Sequence, residues 1–156
     1  MTDTPRTSPD ANCPFCQIAA QPEQVVAVYA DPDIVAFLDR GAIRPGHTQI
    51  IAREHVPTFE TLSPRLLNKI TALGQQLARH MKVVYQVDRV AFLFTGGDVA
   101  HVHAHVVPMH AKTDITSARY ITSPEIVAWG NAHLRLDREA LVAVRDHLAF
   151  VATPLR

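Results

Sequence analysis

Short apolar runs between turn-forming residues predict β structure in the first third of the chain. Apolar residues fill 25–30 almost continuously, alternate loosely with polar ones over 33–39, and return over 47–52. The Asp-Pro-Asp segment 31–33 separates the first two runs as a hairpin turn would, and Pro-Gly at 45–46 precedes the third run. We therefore expect three strands here, the first two of them antiparallel neighbours.

A long helix is predicted next. Ser63 and Pro64 are residue types that favour the N-cap and the first helical position. The apolar residues behind them recur at three- and four-residue steps, which places them on one stripe of a helix of about six turns. These residues are Leu66, Ile70, Leu73, Leu77, Met81 and Val84. Gly74 costs such a helix roughly 1 kcal/mol, which a packed face can offset.

The remaining elements are two strands and a shorter helix. VAFLF (90–94) and HVHAHVV (101–107) are predicted strands on either side of a Gly-Gly turn, the second closed by Pro108. A last helix is predicted from Asp137 through Phe150. This order of elements predicts an α+β fold with a mostly antiparallel sheet, one long helix and a C-terminal helix. Residues 1–12 are rich in Thr and Pro and predict a disordered tail, which leaves residues 13–156 as a single domain.

The charge balance narrows the range of partners. Lys plus Arg and Asp plus Glu each number 15 among 156 residues, so the formal net charge is zero. We expect no nucleic acid polymer as a partner, because a broad binding field needs a basic excess. No apolar run reaches the roughly 18 residues that span a bilayer, so no membrane partner is expected either. Two cysteines make no disulfide scaffold, and the predicted location is cytoplasmic.

Histidine is the residue type that stands out: there are nine, and four lie within 101–110. His101, His103 and His105 alternate with apolar residues, so on a strand all three imidazoles project from one face. A buried sheet face prefers apolar groups, and each neutral imidazole needs a hydrogen-bond partner. This pattern therefore indicates a functional site, either for a metal or for phosphate.

Strand geometry favours phosphate for the row as a whole. Successive residues on one face are about 6.6 Å apart, whereas zinc needs nitrogen atoms at about 2.0–2.1 Å. One straight strand does not bring three imidazoles to a single ion. A row of imidazoles suits a phosphate chain, because a neutral imidazole can attack phosphorus while its neighbours donate hydrogen bonds to phosphate oxygens.

The segment HVHAHVV resembles the signature of the histidine triad (HIT) family, His-x-His-x-His followed by two apolar residues. The segments CPFCQIAA, VYADPDIVAFLDR and RPGHTQIIAREHV, followed by the long helix, resemble family segments in the same order, over about residues 13–110. The resemblance implies a HIT-like α+β fold and a homodimer whose sheet continues across the subunits. It also implies binding of a small nucleotide, a purine nucleotide above all, and hydrolysis or transfer at the α-phosphate.

The resemblance also implies roles for individual residues. His103 would be the nucleophile that forms a covalent nucleotidyl-histidine, while His105 and His47 would orient the phosphate and stabilise its charge. Asp39 would accept hydrogen bonds from the ribose hydroxyls. The apolar lining for the base would be Phe15, Ile18 and Phe37. Ile18 and Phe37 also fit as core residues, and Asp39 also fits as the first residue of a turn.

Cys13 and Cys16 have three interpretations. They could be buried free thiols, a redox motif, or half of a zinc site. A redox motif needs a strand-to-helix junction in a βαβ unit, which this position before any strand lacks. A zinc site needs two more ligands, and His55 and His101 are the candidates. The resemblance implies this set, because in some HIT proteins a Cys pair, the histidine after the third strand and the first triad histidine hold a structural zinc. A structural zinc held this way would leave His103 and His105 free for phosphate.

The segment before the triad departs from the family, which commonly has Gly-Gln, a hydroxyl residue and Val. Here Gly96 and Gly97 are followed by Asp98; the Gly-Gly N–H groups could cradle phosphate. A carboxylate about 5 Å from phosphate would cost roughly 3 kcal/mol at an effective dielectric of 20. Asp98 should therefore turn away, pair with a triad imidazolium, or hold a proton and donate it. We expect the pairing, because a carboxylate oriented toward histidine raises its basicity and fixes its tautomer.

Two other functions remain open: a non-catalytic nucleotide-binding module, and a zinc-dependent hydrolase with triad ligands. The absence of Asp and Glu from HVHAHVV argues against the zinc-dependent hydrolase.

Overall fold

The computed structural model describes residues 10–95, 99–115 and 136–154 of the chain. The helices are α1 (Pro14–Ala20), α2 (Pro64–Val84) and α3 (Arg138–Leu148). The strands are β1 (Ala27–Ala30), β2 (Ile34–Leu38), β3 (Thr48–Ala52), β4 (Arg89–Thr95) and β5 (His103–Met109). Two short 3₁₀ turns lie at Pro22–Gln24 and Phe59–Thr61.

The five strands form one sheet in the order β1-β2-β3-β5-β4, and every neighbouring pair is antiparallel. The predicted α+β class with an antiparallel sheet is confirmed. Asp31 makes the predicted hairpin turn, because its Oδ1 accepts hydrogen bonds from the N–H groups of Asp33 (2.8 Å) and Ile34 (2.9 Å). Such Asx turns explain why Asp begins so many hairpins.

One face of the sheet packs against α2 and α3 to form the main core. The predicted stripe of α2 is buried from Leu66 to Met81, and Ser63 caps the helix by accepting a hydrogen bond from the Leu66 N–H at 3.3 Å. Alternate strand residues meet the stripe, and Leu141 and Leu148 of α3 join them. The strand residues are Ile34, Ala36, Leu38, Ile50, Ala52, Ala104 and Val106.

Gly74 lies in the middle of α2 where the Phe92 ring of β4 presses on the helix. A Cβ at this position would overlap that ring. The glycine therefore permits the close approach of helix and sheet, at the cost in helix propensity noted above.

The opposite face of the sheet is covered by α1. Phe15 and Cys16 on this helix, with Cys13 at its N-cap, pack against β2 and β3 in a second buried cluster. The sequence does not predict α1, because seven residues are too few to show a helical period. The available signal is Cys13-Pro14, since Cys13 is extended and Pro14 occupies the first turn.

β5 is shifted from its predicted bounds of 101–107. His101 and Val102 precede the strand, because their N–H groups bond the carbonyls of Val99 (2.8 Å) and Val56 (2.6 Å) instead of a neighbouring strand. Pro108 does not end the strand. The pairing with β3 stops at Val106, so β5 has an unpaired edge on that side at Pro108, and an edge tolerates a missing N–H.

α3 ends at Leu148, two residues before the predicted end. Ala149 adopts a left-handed conformation (φ 45°), which stops the helix. The ring of His80 on α2 donates a hydrogen bond to the Leu148 carbonyl at this point. The predicted start is confirmed, since Asp137 is the N-cap and accepts from the Ala140 N–H at 2.8 Å.

At the N-terminal side, the Cys13 N–H bonds the Asp10 carbonyl at 3.0 Å, so residues 10–12 form a turn. Within the described ranges, no helix combines the length and the apolar character needed to cross a membrane.

Candidate functional site

A row of polar side chains crosses the α1-covered face of the sheet. His47, just before β3, places Nε2 2.8 Å from Nδ1 of His105. The Thr95 hydroxyl at the end of β4 lies 2.9 Å from Nε2 of His105 and 2.8 Å from Nε2 of His103. The strand register explains the meeting, because Thr95 is the cross-strand partner of His103. The structure thus brings together the three histidines assigned to phosphate chemistry.

The tautomer of His103 follows from its backbone contact. Its Nδ1 lies 2.7 Å from the His101 carbonyl oxygen, which can only accept a hydrogen bond. Nδ1 of His103 must therefore carry the proton, and in the neutral ring Nε2 keeps its lone pair. This lone pair is the one that a nucleophilic imidazole uses.

The other two histidines of the row are held in the neutral form. Burial lowers the pKa of His47. Burial, together with the neighbouring His47 and His103, lowers the pKa of His105 to about 3. Each ring therefore offers one donor and one acceptor near pH 7, which is what a row of ring-to-ring hydrogen bonds requires.

Asp39 lies at the end of β2, beside this row. Its Oδ1 accepts the Gly41 N–H at 2.8 Å, so it does begin the turn before Gly41. Its Oδ2 accepts the Gln49 side-chain amide at 2.7 Å and lies 3.6 Å from Nδ1 of His47. The two readings of Asp39 are compatible, because a carboxylate can accept about four hydrogen bonds.

Gln49 and Thr95 are the polar residues of this face that the sequence analysis missed. Gln49 is paired across the sheet with Phe37 on one side and His105 on the other. The available signal was period two: Gln49 lies two residues after His47 and so is on the same face of the strand as that histidine. For Thr95 no local signal exists, because its place at the end of an apolar strand shows nothing about its partners.

An apolar cluster adjoins the row. The ring of Phe15 lies 4.9 Å from the ring of His103 and 6.2 Å from that of Phe37, measured between centroids. Both phenylalanines are buried, and Ile18 packs against the same cluster. The core reading of Phe37 therefore holds, and Phe15 is the apolar side chain placed directly at the triad. Gly96, Gly97 and Asp98 lie outside the described residues.

The four proposed metal ligands converge next to the row. Nδ1 of His101 lies 3.4 Å from the sulfur of Cys13 and 3.5 Å from that of Cys16, and Cys16 lies 3.3 Å from Nδ1 of His55. Ligand atoms around a tetrahedral zinc are roughly 3.3–3.8 Å apart, given Zn–S near 2.3 Å and Zn–N near 2.0–2.1 Å. The Cys₂His₂ set therefore fits zinc in both donor type and spacing.

His101 is prepared for such a role by its second nitrogen. Nε2 lies 2.9 Å from the Ala52 carbonyl and donates to it, so the Nδ1 lone pair faces the cysteines. Burial raises the pKa of the Cys16 thiol, opposite to the shift that activates a redox cysteine. A cation in the cluster would offset that burial by favouring the thiolate.

A second group with metal-ligand chemistry is Asp39, His47 and His105, whose ligand atoms lie within 4.8 Å of one another. HVHAHVV itself contains no Asp or Glu, but folding brings Asp39 from the end of β2 to the row. His47, however, uses both nitrogens: Nδ1 accepts the Ile43 N–H at 3.2 Å and Nε2 bonds His105. A metal ion would have to replace one of these bonds, so the geometry favours the hydrogen-bonded row.

Known proteins match this chain over most of its length. The HIT domain family matches residues 20–112. An uncharacterized HIT-like protein of Mycobacterium tuberculosis is 30% identical over 137 residues, which are 83% of this chain and 92% of that protein. An adenylylsulfatase of Arabidopsis thaliana is 23% identical over 145 residues, 88% of this chain and 70% of that protein.

Among solved structures, a zinc-bound histidine triad family protein from Mycobacterium smegmatis superimposes with a TM-score of 0.64 at 23% identity. The match covers 88% of this chain and 94% of that protein. The fold is therefore shared, with helices and an antiparallel sheet in the HIT arrangement. On the extent of the family match and the 30% identity, this chain belongs to the histidine triad (HIT) family.

Proposed function

We propose that this protein is a nucleotide hydrolase or transferase that cleaves at the α-phosphate through a nucleotidyl-His103 intermediate. The observation that carries the proposal is the fixed tautomer of His103. Its Nδ1–H is held by the His101 carbonyl at 2.7 Å, so the Nε2 lone pair faces the row that contains His105.

The chemistry takes two steps. Nε2 of His103 attacks the α-phosphorus and forms a P–N bond, while the bond to the leaving group breaks; the leaving group departs with its electron pair and takes a proton from solvent. Water then attacks the same phosphorus and gives a proton back to solvent, the P–N bond breaks with its electron pair returning to Nε2, and a nucleoside monophosphate is released. In a transferase another acceptor replaces water in the second step.

The neighbouring groups supply binding and charge stabilisation. His105 donates through Nε2 to a phosphate oxygen, and His47 holds His105 in place through their 2.8 Å bond. Asp39 accepts from ribose hydroxyls, and Phe15 with its apolar neighbours contacts the base. The relative named adenylylsulfatase supports a purine nucleotide as the substrate.

The experiment that tests the proposal is a panel of nucleotide substrates assayed with wild type and His103→Ala. We expect the variant to lose nearly all turnover while nucleotide affinity changes little, because the lost interaction belongs to the transition state. Rapid quenching of wild type should trap a nucleotide bound to His103. His147→Ala is the control, because His147 is exposed on α3 and belongs to neither the row nor the metal cluster.

Two outcomes would contradict the proposal. A variant that keeps more than about a tenth of the wild-type rate has lost less than about 1.4 kcal/mol, too little for a nucleophile. Wild type that binds nucleotide without turnover or adduct would instead be a non-catalytic binding module.

We also propose that Cys13, Cys16, His55 and His101 hold a structural zinc. The support is the Cys₂His₂ donor set, its near-tetrahedral spacing and the fixed tautomer of His101. The M. smegmatis relative of the same fold is zinc-bound. Four protein ligands leave no open coordination position, so the ion would stabilise the fold rather than bind substrate.

A homodimer is proposed on the evidence of β4. This strand is hydrogen-bonded only to β5 within the described part of the chain, and Phe92 on it is 36% exposed. An apolar edge strand is a template for pairing with another strand. A second copy of the chain would extend the sheet across a twofold axis.

A further inference from the structure

We propose that Thr95 is the positioning residue of the nucleophile: its hydroxyl joins His105 to His103 and so orders both imidazoles toward the phosphate. This inference rests on the proposed function. The Thr95 hydroxyl lies within hydrogen-bond distance of Nε2 of both rings, at 2.9 and 2.8 Å. A hydroxyl has a single proton, so it donates to one ring and accepts from the other. Which ring receives the proton decides which imidazole can be the nucleophile.

The direction of the row is set at one end by a backbone N–H. The Ile43 N–H donates to Nδ1 of His47 at 3.2 Å, so the proton of neutral His47 is on Nε2. His47 then donates to Nδ1 of His105 at 2.8 Å, which leaves the proton of neutral His105 on Nε2. His105 therefore donates to the oxygen of Thr95.

The other end is set by a backbone carbonyl. The His101 carbonyl accepts the Nδ1–H of His103, so Nε2 of His103 is an acceptor and must receive the Thr95 proton. The reverse direction would place two donors at Ile43 and two acceptors at His101. The Asp39 carboxylate does not favour it, because 3.6 Å from Nδ1 of His47 is too far for a hydrogen bond. The Ile43 N–H and the His101 carbonyl thus require the same donor-to-acceptor direction for the hydrogen bonds of the whole row. The Thr95 hydroxyl connects the two halves of that row.

The consequence for catalysis is that His103 and His105 are opposite tautomers. His103 has a lone pair at Nε2, as attack on phosphorus requires. His105 carries an N–H at Nε2, and a bound phosphate oxygen would take over this hydrogen bond from the Thr95 hydroxyl. Their rings are 5.1 Å apart between centroids and do not bond each other directly, so the hydroxyl between them keeps the two roles distinct. On attack, His103 exchanges its bond to Thr95 for the phosphorus, and the hydroxyl can turn to a phosphate oxygen.

The first arm of the test compares Thr95→Val with Thr95→Ser. Valine keeps the branched shape and removes the hydroxyl, whereas serine keeps the hydroxyl and removes the methyl group. We expect Thr95→Val to lower kcat about 10- to 100-fold with KM changed less than about threefold, the range for one hydrogen bond to a reacting group. Thr95→Ser should stay within about threefold of wild type. Thr71→Val on the exposed side of α2 is the matched control, because its hydroxyl bonds only the helix backbone.

The second arm does not depend on turnover. Nitrogen-15 NMR of the substrate-free wild-type protein should show a protonated Nδ1 on His103 and a protonated Nε2 on His105. Identical tautomers on the two rings would overturn the inference, as would Thr95→Val with wild-type kcat or Thr95→Ser as impaired as Thr95→Val. If wild type turns over no nucleotide, the proposed function fails, and comparing these spectra between wild type and Thr95→Val still decides whether Thr95 orders the row: unchanged ring signals in Thr95→Val would overturn the inference.

Discussion

At the scale of single residues, the site depends on keeping imidazoles neutral inside the protein. Burial disfavours the charged form of His47 and His105, and the adjacent rings disfavour it further for His105. A neutral ring is both donor and acceptor, so the row can be continuous from the Ile43 N–H to the His101 carbonyl. This neutrality has a consequence for stability as a function of pH.

We expect the free energy of unfolding to fall as the pH decreases from about 7 to about 5. The pKa of His105 is lowered from 6.5 to about 3 on folding, so the unfolded chain binds a proton in this window and the folded chain does not. The contribution of His105 is fully present above pH 6.5 and is lost as the pH falls. The slope approaches about 1.4 kcal/mol per pH unit for each such group.

Urea unfolding of wild type and His105→Gln across this window measures the effect. The variant lacks the titrating ring and should lose less stability on acidification. His147→Gln, which replaces an exposed histidine outside the row, is the matched control for the substitution itself. Equal slopes for wild type and His105→Gln would show that folding does not perturb His105.

At the scale of elements, short segments are held in place by contacts from distant parts of the chain. α1 has seven residues, too few to be stable alone. Its first turn carries Cys13 and Cys16, which meet His55 beyond β3 and His101 before β5. The contacts of these two cysteines with His55 and His101 therefore hold α1 over the sheet, and with it Phe15 beside His103.

The turn before β3 is a second example. Gly46 has φ +92°, and a Cβ there would lie 2.5 Å from the Tyr85 ring at the end of α2. The predicted Pro-Gly turn is confirmed, and only glycine satisfies both its conformation and its closeness to Tyr85. The next residue is His47, so this turn delivers the first imidazole to the row.

We expect purified protein to contain about one zinc per chain, and Cys13→Ser or Cys16→Ser to lose the metal together with thermal stability. In a chain of this size each kcal/mol lost lowers Tm by about 2–4 °C. Metal analysis and thermal unfolding give the two measurements. A chelator titration of wild type separates metal loss from the loss of a buried thiol. Wild type that is free of zinc after purification without chelator would leave both cysteines as ordinary core thiols.

At the scale of the whole molecule, the two faces of one sheet have different roles: one is packed into the core and the other carries the candidate site. Its α2-covered face holds the main core, and its other face holds the histidine row and the Cys₂His₂ cluster. Because successive side chains of a strand point to opposite faces of the sheet, each strand contributes residues both to the core and to the site face. The β4 edge, which carries Thr95 at its end, is the part of the sheet that the proposed dimer would cover.

We expect wild type to be a dimer at micromolar concentration, and Phe92→Glu to raise the dissociation constant at least about 100-fold, because a carboxylate would be buried without a partner. Val83→Glu is the control. Val83 is 76% exposed and follows Gly74 by nine residues, which places it half a turn around α2 from the face that meets Phe92. Light scattering over a concentration series gives the masses. A monomeric wild type would contradict the proposal.

Local pattern in the sequence determined the α2 stripe, its N-cap, the strands, the hairpin at Asp31 and the shared face of His103 and His105. These features repeat within a few residues, and their periods are properties of the backbone. The metal ligands and the roles of His103, His47 and Asp39 came from the family resemblance.

Only the tertiary structure decided which groups face one another. Cys13 and His101 are 88 residues apart, and His47 and His105 are 58 apart. Thr95 reaches both imidazoles because β5 lies between β3 and β4, and Asp39 joins the row because β2 ends beside His47. Strand order and register are set by the burial of whole faces, and a local pattern records which side a residue faces without recording its neighbour there.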